Sequence, residues 1–64
     1  MEKFRDEIMT QVPLKQHLKD HKEINKMFNV DCDNVSVEEH LKYHLEYYYK
    51  IGKLTKEQYD KYKS

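Results

Sequence analysis

One glycine, one proline and one cysteine are all that these 64 residues contain of each. A single glycine excludes the glycine-rich loop that cradles phosphate. A single cysteine, Cys32, excludes an internal disulfide and fits a reduced, cytoplasmic setting. No apolar run approaches the roughly 18 residues of a membrane span, and no basic and then apolar leader opens the chain. The expectation is therefore a soluble, unprocessed protein with no membrane contact. Charge of one sign is missing too: twelve basic and twelve acidic residues cancel, which removes the global argument for nucleic acid. Apolar residues make up only 38% of the chain, against roughly 45–50% in ordinary domains. A single domain over residues 1–64 with so small a core must lean on something further, whether a metal, self-association or a partner.

Helical periodicity is what the sequence has in quantity. Phe4, Ile8 and Val12 recur at four-residue intervals, which predicts a first helix up to Pro13, whose ring disfavours helical geometry at Val12. A second helix follows from Pro13 to Phe28, with Leu14, His17, Leu18, His21, Ile24 and Phe28 on one face. NVDCDNV, residues 29–35, is rich in turn-forming Asn and Asp and reads as a loop. Ser36 with Glu39 caps a third helix that closes at Gly52 and aligns Val37, Leu41, His44, Tyr48 and Ile51. Thr55 with Gln58 opens a short fourth helix, Lys56 to Lys63, which must dock to persist. The fold class is all-α: a small bundle of three helices plus a short C-terminal fourth.

No catalytic signature appears among these residues. Cys32 lies between Asp31 and Asp33, whose charge discourages a thiolate, and no nucleophile–base arrangement or paired-carboxylate motif is present. The expectation is a protein that is not an enzyme and carries no cofactor. The acidic loop from Asp31 lacks the glycine and the final glutamate of a calcium loop, so it reads as a solvated turn.

All four histidines fall in two matching pentads, HLKDH at 17–21 and HLKYH at 40–44. A pair at i and i+4 shares a helix face, and two facing pairs, His17, His21, His40 and His44, would supply four nitrogens suited to zinc. Against that, zinc sites usually mix in cysteine or carboxylate, and ligating imidazoles need acceptors behind them. The first expectation for these histidines is thus a packed core, with the metal-stabilised domain ranked third among functions.

Two surfaces remain. Lys15, Lys19, Lys22 and Lys26 form a stripe on the second helix that could follow phosphates, the alternative nucleic-acid-binding reading. Tyr43, Tyr47, Tyr49, Tyr59 and Tyr62 crowd the C-terminal half and suit a protein interface, since Tyr buries large area at small entropic cost. The third helix, the turn and the fourth helix match a helix-turn-helix in outline, but Tyr48 stands where that motif wants a small residue. The segment GKLTKEQY, residues 52–59, resembles the G-x-L/I-T-x-E-E/Q-Y pattern of SHOCT-type helical hairpins. That resemblance implies self-association or partner docking. The Lys-, Glu-, Tyr- and Asn-rich composition is similar to that of small proteins of phages and mobile elements in low-GC Gram-positive bacteria. The leading expectation is a module that regulates or inhibits a larger protein partner, with homodimerisation as a variant.

Overall fold

The computed structural model describes residues 2–63, which form four α-helices and, among the described residues, no strand. They are α1 (Glu2–Glu7), α2 (Leu14–Phe28), α3 (Val37–Lys50) and α4 (Lys56–Lys63), with one 3₁₀ turn, Met9–Gln11, between the first two. No helix among the described residues is long and apolar enough to cross a membrane.

The first helix is shorter than its spacing predicts. It gives way after Glu7, where Thr10 Oγ1 donates to Asp6 O at 2.7 Å, and Val12 is extended (φ −86°, ψ 121°) as a residue before proline prefers. α2 ends at Asn29, whose φ of 54° is the left-handed conformation that asparagine tolerates. α3 begins as expected, with Ser36 Oγ accepting from the Glu39 N–H at 3.2 Å. It closes at Gly52 (φ +80°), beyond which the Lys53 and Leu54 N–H groups donate back to Tyr48 O. A full capping box starts α4: the Gln58 N–H donates to Thr55 Oγ1 at 3.1 Å, and the Thr55 N–H to Gln58 Oε1 at 3.0 Å.

Phe4, Ile24, Leu45 and Tyr48 are fully enclosed at the centre, and the Phe4 ring lies 6.2 Å from Tyr48 and 5.7 Å from Tyr62. α4 docks through those contacts, with Tyr62 inserted beside α1. The expected apolar faces are corrected at their edges. Leu14 and Leu18 of α2 are exposed (73% and 54%), because the face that meets α3 is centred on His17, Ile24 and His21 and turns Leu18 to its margin. Val37 and Ile51 are exposed as well, since they sit at the first turn of α3 and just past its last, outside the buried stretch of Leu41, His44, Leu45 and Tyr48.

Candidate metal centre

Helical spacing puts His17 and His21 on one side of α2, and His40 and His44 on one side of α3. The packing of α2 on α3 turns the two pairs toward each other. One ligating nitrogen from each of the four residues lies within 4.8 Å of the other three. The three separations among His17 Nε2, His21 Nε2 and His40 Nε2 are 2.8 Å (17–21), 3.1 Å (21–40) and 3.4 Å (17–40). His44 completes the group, its ring stacked on His17 with centroids 4.6 Å apart and planes 10° from parallel.

The outer hydrogen bonds fix which nitrogens carry protons. His40 Nδ1 lies 2.7 Å from the carbonyl oxygen of Cys32, which can only accept, so the proton is on Nδ1 and the Nε2 of a neutral His40 ring presents a lone pair. His21 Nδ1 lies 3.1 Å from Asp33 Oδ1, and a carboxylate likewise accepts, so a neutral His21 also presents its Nε2 lone pair. With both rings neutral, two lone pairs face each other at 3.1 Å. A proton can bridge one such pair, and a point near several imidazole nitrogens can also hold a larger cation. The acceptors that ligating imidazoles need behind them are the Cys32 carbonyl and the Asp33 carboxylate, and the 29–35 loop supplies both. That loop is itself held, with the Cys32 N–H donating to Asn25 Oδ1 at 3.0 Å and the Asp33 N–H to Asp31 Oδ1 at 3.2 Å.

His44 is the most telling member. It is 0% exposed, and among the described residues neither of its ring nitrogens meets a hydrogen-bond partner. An unmade hydrogen bond on a buried group costs about 1–3 kcal/mol. Burial first, then the charges of His40, His17 and His21, push its pKa down to about 3. Burial and the His21 and His40 rings lower His17 in the same direction. The folded chain thus favours the neutral rings of His44 and His17, the form in which imidazoles ligate metals.

Acid should unfold the metal-free protein for the same reason. Because His44 binds its proton more weakly in the fold (about 3) than its ordinary 6.5, its neutral form supports the fold fully above pH 6.5. Between 6.5 and 3 the unfolded chain takes up a proton that the folded one refuses, so stability falls by about 1.4 kcal/mol per pH unit for this residue alone. Urea midpoints of metal-free protein at pH 7.5 and pH 5 should differ by the equivalent of about 2 kcal/mol or more. Equal midpoints would show that His44 is not held neutral.

A smaller grouping, His21 with Cys32 and Asp33, lies at the edge of the four. Burial and then the charge of Asp33 push the Cys32 thiol up, as its aspartate neighbours lead one to expect, and the backbone of this residue serves His40. The expected tyrosine surface divides in two. Tyr47 and Tyr62 are buried, because both rings fill the core, and this removes them from an accessible interface. Tyr43 is half-buried with its ring 5.6 Å from Phe28, and Tyr49 stacks on the half-buried Tyr59 at 4.4 Å, with Tyr59 also hydrogen-bonded to Glu46. Lys15, Lys19, Lys22 and Lys26 are exposed along the outside of α2. Comparison with models of known families, with curated proteins and with solved structures finds no match for this chain.

Proposed function

We propose that this chain is a metal-binding helical module in which one transition-metal ion, zinc by the character of its ligands, ties α2 to α3. The observation that carries the reading is the convergence of the His21 and His40 Nε2 atoms, 3.1 Å apart, with the Nδ1 of each ring held by an outer acceptor. Zinc–nitrogen bonds of roughly 2.0–2.1 Å place the corners of a tetrahedron about 3.3–3.4 Å apart; the 3.1 and 3.4 Å separations lie near that edge, and the 2.8 Å between His17 and His21 is a hydrogen-bond distance that must open to admit the ion. Any three corners of a square include a diagonal of about 4.1 Å at the same bond length, which the three Nε2 atoms lack.

Four protein ligands leave no open position on a tetrahedral ion, so its part is architectural rather than catalytic. The ion would supply the cross-link that a core this small needs. What it holds in place includes the outward surface of Tyr43, Tyr49 and Tyr59, where a larger protein partner would dock. Equilibrium dialysis of the metal-free protein against buffered zinc at pH 7.5 tests the reading. One equivalent per chain is expected, with none left after His21→Ala and His40→Ala together; no uptake by the wild type would end it.

A further inference from the structure

We infer that Asp20 is a buried counter-charge for a divalent ion held by the four histidines, an inference that rests on the metal reading above. Asp20 occupies α2 between His17 and His21 and is 3% exposed, a position a carboxylate rarely takes without a cation. Both of its hydrogen-bond donors are uncharged: Gln16 Nε2 donates to Oδ1 at 2.9 Å, and the buried Tyr48 hydroxyl donates to Oδ2 at 2.8 Å. The side-chain ion pairs among the described residues join Arg5 to Asp6, His21 to Asp33 and Lys61 to Glu7, and none includes Asp20.

Two costs thus lie side by side in one small core. The Nε2 atoms of His21 and His40 converge with only the His17 ring in reach to donate between them, and a carboxylate is buried on neutral partners. A dication among the imidazoles removes both. Asp20 is no ligand itself, since the converging set consists of the four histidines. It nevertheless stands beside the cluster, one residue from His21 and three from His17 on α2. Asp33, behind His21 and open to solvent, adds a second and weaker negative charge on the outer side of the cluster, so a divalent ion bound to neutral ligands is the match. Asp20 is accordingly a positioning and charge-matching residue, and the ion is divalent and four-coordinate.

Asp20→Asn and Tyr48→Phe test this together. Asparagine can keep both contacts, accepting from Tyr48 and, with the Gln16 amide reversed, donating to Gln16; only the charge is lost. Zinc affinity of D20N, measured by competition with a chromophoric chelator, should fall about 10–100-fold, as for other outer-sphere partners. The metal-free D20N protein should melt no lower than metal-free wild type, because an uncompensated buried charge has been removed. Tyr48→Phe keeps the charge and removes one donor, so its zinc affinity should stay well above that of D20N. Wild type and both variants should show the strong visible bands of four-coordinate Co(II). The inference is overturned if D20N binds zinc within twofold of wild type, if Y48F loses as much affinity as D20N, if metal-free D20N melts lower, or if bound Co(II) gives the weak bands of a six-coordinate ion. Wild-type protein that takes up neither zinc nor cobalt would bring down the metal reading itself, and this inference with it.

Discussion

Saturating zinc should raise the thermal midpoint of this protein by about 15–30 °C. An ion that binds only the folded form adds about 4 kcal/mol at a thousandfold excess over its Kd, and in a domain of this size each kcal/mol moves the midpoint by about 4–8 °C. The effect should be large because the fold has so little else to hold it. Among the described residues the buried apolar core is nine side chains, of which Tyr47, Tyr48 and Tyr62 carry hydroxyls, and two of the four helices have eight residues or fewer. The ion would bridge two segments, 17–21 and 40–44, that lie some twenty residues apart in the chain. Scanning calorimetry with zinc and with a chelator reads the difference directly. Midpoints within 2 °C of each other would mean that the ion does not hold α2 to α3.

Substituting leucine for His44 should act in opposite directions on the two forms of the protein. In the metal-free form His44 keeps two buried nitrogens without partners, at a cost of about 1–3 kcal/mol for an unsatisfied buried group. Leucine has similar volume and no polar atom, so the metal-free variant should gain roughly that amount. In the zinc form the substitution removes one of four ligands from a place water reaches poorly. Affinity should fall by at least about 100-fold, more than the loss of an outer-sphere partner typically causes. Few core substitutions stabilise one state of a protein while disabling the other, and a histidine present only for packing would not behave so. Urea titrations of wild type and H44L, each with zinc and with chelator, give all four stabilities. A variant less stable in both conditions would show that the imidazole is a packed core group and nothing more.

The helices were legible from their ends. Ser36 with Glu39, Gly52, and Thr55 with Gln58 are local signals whose bonding partners lie within four residues, and each performs the expected role. The histidine pairs were also legible, since spacing alone aligns His17 with His21 and His40 with His44. Spacing does not tell which faces of two helices meet. The sequence favours a face of α2 that includes Leu14 and Leu18, and the contact actually made turns that face toward His17 and Ile24. The acceptors behind the rings were hidden for a different reason. One is a backbone carbonyl, at Cys32, which no side-chain pattern reveals, and the other belongs to an acidic loop that reads equally well as a solvated turn. Asp20 was hidden by its own chemistry: a charged residue on a helix is expected in water, and its burial depends on Tyr48, 28 positions away. The tyrosines illustrate the same limit, since consecutive residues 47, 48 and 49 must point in different directions, and only the fold sends the first two inward and Tyr49 outward.

X-ray absorption at the zinc edge of the reconstituted protein tests the central claim most directly, because it reads the atoms around the ion without reference to stability. Four imidazole nitrogens at roughly 2.0–2.1 Å, with no sulfur, are expected. A sulfur neighbour at roughly 2.3 Å, or an oxygen-rich shell of five or six atoms, would contradict a centre built from His17, His21, His40 and His44.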